Sequence, residues 1–244
     1  MREGLVIFRR ELRSYFLSPI AYVFGGLFLG ILLFVASASS LQNGAQANMQ
    51  AFFGLLPFLL LLFVPALTMR SWAEERKQGT IELLMTFPVT GAQLVLGKFA
   101  AAVAYLAFVL VLTLGLPLTL AAYGRLDWTP ILGSYLASVL FASSFVAVGM
   151  FWSSLTRDQI IAMLVSLVTL LALYMLGYPQ LIELMAQWLP AVCIDLLNGI
   201  SPYKYFESIG RGVIDTRDIV YFACFCGFFL YANTLVLQAR RQKG

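Results

Sequence analysis

The sequence predicts an all-α polytopic membrane protein with six transmembrane helices, and three observations carry that prediction. First, 61% of the 244 residues are hydrophobic and 11% charged, with a mean hydropathy of +0.86. A soluble domain carries about 25% charged residues, so 16 Lys and Arg with 12 Asp and Glu are too few to solvate a globular surface of this size. Second, apolar runs of membrane-spanning length recur six times. Third, Lys and Arg concentrate in alternate connections between those runs, as the positive-inside tendency requires. Histidine is absent, which removes Ser-His-Asp triads and zinc sites that need an imidazole.

Residues 1–17 open the chain as an amphipathic helix. Leu5, Phe8, Leu12 and Tyr15 or Phe16 recur at spacings of three and four, with Arg9, Arg10 and Arg13 mostly turned elsewhere. Such a helix lies in the membrane interface, its arginines near anionic headgroups, although a plain positive-inside anchor has the same composition. Pro19 then turns the chain into the bilayer. The run that follows exceeds the 7 to 15 residues of a signal peptide, and Glu3 and Glu11 dilute the charged region, so it reads as an uncleaved first span.

The expected spans are 19–41, 51–69, 99–123, 131–151, 159–176 and 219–237. Segment 177–218 alternates short apolar pieces with Pro, Gly and charges, suiting interfacial or re-entrant helices. Twelve basic residues fall on one side and four on the other, with acidic residues divided evenly. Both termini are therefore expected in the cytoplasm. The spans carry no evident Asp, Glu, Lys or Arg, which disfavours ion coupling.

Helix contacts have weak signals. Gly26 with Gly30, Ala100 with Ala104, and Gly149 with Ser153 offer small faces, expected to serve packing within one subunit more than dimerisation. Pro57, Pro65 and Pro117 are expected kinks. Ser143, Ser144, Ser166 and Thr169 either face a pathway or bond back to their own helices. Cys193, Cys224 and Cys226 lack the spacing of a disulfide framework or metal site and read as small buried hydrophobes. Asp218 is the expected cap of the sixth span.

The connection 70–98 is the most informative stretch. Ser71 and Glu74 have capping-box spacing, Gly79 can end that helix, and Thr80 can cap a second before Pro88 forbids continuation. The expectation is a helix, a glycine bend and a second helix at the membrane surface, an elbow suited to docking a cytoplasmic protein. An idle loop is equally compatible with its physics. Gly91 to Lys98 superficially suggests a phosphate-binding loop, but five residues separate Gly91 from Gly97 instead of four, and Phe99 stands where Ser or Thr would hold magnesium.

Glu74-Glu75-Arg76-Lys77-Gln78-Gly79-Thr80-Ile81-Glu82-Leu83-Leu84 with Thr86-Phe87-Pro88-Val89 resembles the signature after the second span of type-2 ABC transporter permeases (the ABC-2 family). The resemblance covers essentially the whole chain. It extends to Ser153-Ser154-Leu155-Thr156-Arg157-Asp158-Gln159-Ile160-Ile161-Ala162 and to residues 208–218, the latter most like the gliding-motility (GldF-type) permease subunit, with nitrous-oxide-reductase maturation (NosY-type) permeases second. It implies one transmembrane domain over 1–244, with coupling to a separate ATPase through Glu74, Glu75, Gly79, Thr80, Ile81, Glu82, Leu83 and Leu84. Leu155, Thr156, Arg157 and Asp158 would make a second cytoplasmic contact, although Thr156 and Gln159 also have capping-box spacing. Tyr203, Phe206, Arg211, Gly212 and Asp215 would belong to an outer gate, a lid over the bundle being the plainer alternative.

The implied role is the non-catalytic permease subunit of an ABC transporter in a bacterial inner membrane, driving export or mechanical transmission. No cofactor is expected on this chain, with ATP and Mg on the partner ATPase. Expected partners are that ATPase, a second permease subunit in a homodimer or heterodimer, membrane lipid and a periplasmic or envelope accessory protein, with no nucleic acid. Two other readings stay open: an ATP-independent transporter or channel, and a structural membrane anchor that recruits a partner.

Overall fold

A computed structural model describes residues 2–42, 49–79, 90–123, 127–212 and 215–241. These residues form twelve helices and, among themselves, no strand. The helices are α1 (Arg2–Leu17), α2 (Pro19–Gln42), α3 (Gln50–Thr68), α4 (Arg70–Lys77), α5 (Gly91–Leu112), α6 (Gly115–Tyr123), α7 (Trp128–Leu155), α8 (Gln159–Met175), α9 (Pro179–Met185), α10 (Ala191–Ile200), α11 (Pro202–Gly210) and α12 (Thr216–Arg241).

Five helical stretches are long and apolar enough to cross a membrane, and α8 with α9 makes a sixth if that pair, bent by 73°, is one span. The chain is thus a multi-pass membrane protein, and 177–218 holds the short helices its interrupted apolar pattern predicts. Pro19 is the first residue of α2, where its missing N–H costs no hydrogen bond. The third span breaks into α5 and α6 four residues before Pro117, which has no N–H to offer Thr113. The Thr113 carbonyl instead accepts from the Leu116 N–H at 3.0 Å, and the Thr113 hydroxyl lies 2.6 Å from the Leu110 carbonyl and 2.9 Å from the Tyr135 hydroxyl.

The bundle is built around α7, which packs against α3, α4, α5, α8, α11 and α12. Two-thirds (67%) of its span is buried, against 22% of the α2 span and 28% of the α12 span. Composition explains this. Where lipid is as apolar as the side chains, helices associate by close packing of small residues, and α7 carries Gly133, Ser134, Ala137, Ser138, Ala142, Ser143, Ser144, Ala147, Gly149 and Ser153 on buried positions. Gly149 lies directly against the Thr68 side chain of α3, and Gly133 lies under the Ile209 carbonyl of α11.

Several expectations change. A Cβ at Gly26 or Gly30 would meet no neighbouring helix within 4 Å among the described residues, so that pair serves no internal packing among them. Ser143, Ser144, Ser166 and Thr169 all bond back to carbonyls of their own helices at 2.6 to 2.8 Å. Of the cysteines only Cys226 is buried, and Cys224 is exposed. Asp215, not Asp218, caps α12: the helix begins at Thr216, and the Asp215 carboxylate accepts from the Arg217 N–H at 3.0 Å. Asp218 lies one turn too late and is buried.

The two glycine environments give a paired test. Gly149→Ala is expected to destabilise the protein by about 1–3 kcal/mol through overpacking against Thr68, while Gly26→Ala leaves stability unchanged or slightly raised. Thermal unfolding of both variants in the same detergent measures the difference.

Candidate functional site

The site is assembled at the end of the bundle where α1 and α4 lie. At Met69 the backbone stays in the right-handed helical region (φ −54°, ψ −31°), so α4 carries the second span onward past a one-residue interruption. It does not start a separate surface helix, and the Ser71 and Glu74 capping box is not formed, because α4 has no side-chain cap. The interrupted ladder is instead closed from α7. The Ser153 hydroxyl accepts from the Trp72 N–H (3.1 Å) and the Ala73 N–H (3.2 Å) and donates to the Met69 carbonyl (2.9 Å). One hydroxyl thereby uses its donor and both acceptor positions. Buried backbone groups need such partners, which explains why Trp72 and Ala73 can be fully buried at a helix junction.

One turn further along, the Arg76 guanidinium donates to the Leu155 carbonyl at 2.8 Å, joining α4 to the last residue of α7. The two stretches expected to contact an ATPase are therefore neighbours. The turn itself is ordered differently from the Thr156 and Gln159 box. Thr156 bonds back to the Trp152 carbonyl (3.2 Å), and the Asp158 carboxylate caps α8 through the Ile160 N–H (2.8 Å), because Asp158 immediately precedes the first helical residue. Gly79 ends the α4 stretch with φ +70°, a left-handed conformation that glycine adopts without Cβ strain. Thr80, Ile81, Glu82, Leu83 and Leu84 lie outside the described residues.

Sequence reasoning missed the electrostatic centre of this region. Lys98 is seven residues into α5 yet only 4% exposed, and its ammonium lies 2.8 Å from Glu75 of α4, 3.3 Å from Glu11 of α1 and 5.0 Å from the centre of the Trp72 ring. Arg10 adds contacts of 2.6 Å to Glu11 and 3.6 Å to Glu75. Burial raises the Glu11 pKa, but the Lys98 charge, with Arg10 beside it, wins and holds the carboxyl below its ordinary value. The inner face of α1 keeps Leu12, Tyr15 and Phe16 of the predicted stripe against the bundle and departs from it at its start. Leu5 is exposed, while Ile7 packs on Gly97 and Tyr15 stacks on Tyr105 at 5.5 Å. Glu11 is on that inner face. The signal in the sequence was Lys98 standing alone about two turns inside an apolar helix that starts at a Thr90 and Gln93 capping box.

Tyr203, Phe206, Arg211, Gly212 and Asp215 lie at the other end. Phe206 is buried against Phe141 of α7 (5.2 Å), and Tyr203 meets Tyr174 of α8 edge-on (4.9 Å). Ser201 fastens the start of α11 to α8 by donating to the Leu173 carbonyl at 2.8 Å. Gly212, at φ +86°, turns the chain over Pro130. Arg211 pairs with Glu207 at 2.8 Å in solvent. Tyr203 and Phe206 are thus packed into the bundle while Arg211 and Asp215 stay on its rim.

Two outcomes test this construction. Ser153→Ala orphans two buried N–H groups and a carbonyl, so it is expected to cost about 1–3 kcal/mol and to speed amide exchange selectively over residues 70–79, read by hydrogen–deuterium exchange. Lys98→Met leaves Glu11 and Glu75 facing each other without their buried cation, with the more exposed Arg10 alone beside them, and is expected to cost about 3–5 kcal/mol, read by thermal unfolding at pH 7. Because the folded pKa of Glu11 is depressed, its stabilising contribution is complete above the ordinary glutamate value of about 4.3. It is lost as pH falls through the lowered value, so the penalty of Lys98→Met shrinks on acidification.

Residues 28–218 match the sequence profile of the ABC-2 family transporter proteins. The chain is also 29% identical over 164 residues to the probable multidrug ABC transporter permease YbhR of Escherichia coli strain K12, and equally to that of Escherichia coli O157:H7. Each match takes in 65% of this chain and 42% of the relative, so the chain spans about two-fifths of the length of these relatives. With the family profile matched over most of its length, the chain belongs to the ABC-2 family of transporter proteins.

Proposed function

We propose that this chain is the non-catalytic, membrane-spanning permease subunit of an ABC transporter, coupling ATP hydrolysis on a separate ATPase to export or to mechanical transmission across the membrane. The observation that carries the proposal is the α3–α4 lever. It runs out of the bundle without a break in helical backbone, is fastened to α7 by Ser153 and Arg76, and is clamped to α1 and α5 through Lys98. A push on the protruding end is transmitted to the spans as a rigid-body movement instead of being absorbed in a soft loop.

In this reading Glu74, Glu75, Gly79, Thr80, Ile81, Glu82, Leu83 and Leu84 form the coupling element, and Leu155, Thr156, Arg157 and Asp158 make the smaller contact beside it. ATP and Mg belong to the partner. Two such permease subunits pair in a bacterial inner membrane with both termini cytoplasmic. The surplus of basic residues at the α1 and α4 end supports that orientation. Tyr203, Phe206, Arg211, Gly212 and Asp215 form the outer gate, where α11 fills the crevice between α7, α8 and α12. Export is in line with the relatives' description as probable multidrug permeases. The string at 208–218 supports a gliding-motility type of subunit, with the nitrous-oxide-reductase maturation type second, acting with an envelope accessory protein.

The test is co-expression with the ATPase encoded beside this chain. Gly79→Val and Glu82→Ala are expected to assemble into the membrane complex while losing most of the stimulation that the wild-type permease gives the ATPase. Full stimulation in both variants rules out the coupling assignment, and transport by the chain alone in liposomes without ATP rules out the need for the ATPase.

A further inference from the structure

Between α1, the start of α2, the end of α3 and α4 lies a cavity of about 720 Å³ that borders the Lys98 cluster and that the packing of the bundle leaves unfilled. Its walls have two characters. On one side are the apolar Leu17, Ala21, Ala66 and Leu67, and on the other Arg13, Ser14, Ser18 and Arg70, with Glu74 beside Arg70 and the Arg10, Glu11, Glu75 and Lys98 cluster closing the remaining wall. Ala21 and Ala66 are buried, whereas Leu17 and Arg13 are exposed, so the cavity has an apolar floor and a mouth where Arg13 and Arg70 outnumber the one carboxylate beside them, Glu74.

The charges at this cavity are unequally satisfied. Lys98 and Arg10 are matched to Glu11 and Glu75. Arg70 is not. Its buried Nε–H has no hydrogen-bond acceptor, with the Glu74 Oε2 standing 4.0 Å away, beyond hydrogen-bond reach. Arg13 has no ion pair among the described residues. Two guanidinium groups on different helices, α1 and α4, therefore border one space, and a buried donor there lacks an acceptor. Guanidinium groups bind phosphate oxygens through parallel, charge-assisted hydrogen bonds.

We propose that this cavity binds the phosphate headgroup of an anionic phospholipid from the leaflet in which α1 lies. Arg13 and Arg70 hold the phosphoryl oxygens, Ser14 and Ser18 donate to the headgroup, and the acyl chains leave along Leu17, Ala21 and Leu67. The apolar wall favours a lipid over free phosphate, since inorganic phosphate gains nothing from a dry surface, and over an acidic protein segment, which would leave that wall uncovered. Position agrees: an amphipathic helix followed directly by a proline-started span sits at the boundary between headgroups and acyl chains. A lipid held there bridges α1 to α4 beside the Lys98 cluster and tightens the join between the interfacial helix and the lever. This site is independent of ATPase coupling and can stand or fall without it.

The experiment uses the full chain in detergent, with lipid retention read by native mass spectrometry and stability by thermal unfolding. Phosphatidylglycerol is expected to be retained and to raise the midpoint, while phosphatidylcholine with the same acyl chains is not. Arg13→Gln with Arg70→Gln is expected to weaken phosphatidylglycerol binding about tenfold, and Arg217→Gln, an exposed arginine elsewhere, to leave it unchanged. Should the double variant fail to fold, Ser14→Trp obstructs the mouth from an exposed position and is expected to abolish retention. Equal binding of the two lipids, unchanged binding in the double variant or in Ser14→Trp, or the same stabilisation by inorganic phosphate alone would overturn the proposal. So would a double variant that loses the partner ATPase but keeps the lipid.

Discussion

The buried ammonium of Lys98 sets the constraint around which this end of the protein is arranged. A cation removed from water must be compensated by nearby opposite charge and hydrogen bonds, because the desolvation penalty is several kcal/mol per ion even after relaxation. Here the compensation comes from two carboxylates that are far from Lys98 in sequence, Glu11 on α1 and Glu75 on α4. Meeting the requirement fixes three helices relative to one another. The first helix, α1, cannot roll, α4 cannot swing away and α5 cannot slide without exposing an unpaired charge. Such a cluster adds less net stability than well-packed apolar residues would. Its contribution is geometric, since it makes one arrangement of α1, α4 and α5 far better than its neighbours.

Ser153 does the corresponding work for the backbone. The second span has a discontinuity at Met69, and in an apolar setting the freed N–H and carbonyl groups have no water to turn to. A single hydroxyl from α7 satisfies three of them. The discontinuity is therefore stiff, and α3 with α4 acts as one lever hinged on the most buried helix of the bundle. Gly149, one turn before Ser153, lets α3 approach closely enough for this to happen. The Gly149 and Ser153 spacing that looks like a generic small-residue stripe is in fact a contact point and a hydrogen-bond pin on the same face of α7.

Opposite ends of the bundle are built on different physics. At the α1 and α4 end, charges and backbone hydrogen bonds dominate, and residues with long, flexible side chains stand exposed around them. At the other end, rings do the packing: Tyr203 and Phe206 fill the crevice beside Phe141 and Tyr174, while charged residues such as Lys204, Arg211 and Asp215 stand exposed on the rim. A ring cluster can slip past itself at little electrostatic cost, whereas an ion cluster resists small displacements.

The sequence by itself determined the fold class, the places of the spans and the most informative connection. These depend on local quantities: the length of an apolar run against bilayer thickness, prolines at helix starts, a glycine at φ +70° that ends α4, and the asymmetry of basic residues. It also supplied the string from Glu74 to Leu84 that announces the family. Tertiary structure alone decided which charges are structural and where each helix end finds its partners. Lys98 looked like an ordinary basic residue beside a span, because its burial depends on α1 folding back against α5, a contact between residues some ninety positions apart. Ser71 looked like a cap and Asp218 like another, but caps exist only where a helix begins, and the helices begin at other residues. The partner of Trp72 and Ala73 is a hydroxyl about eighty residues away, and no local pattern encodes a hydrogen bond made across a bundle.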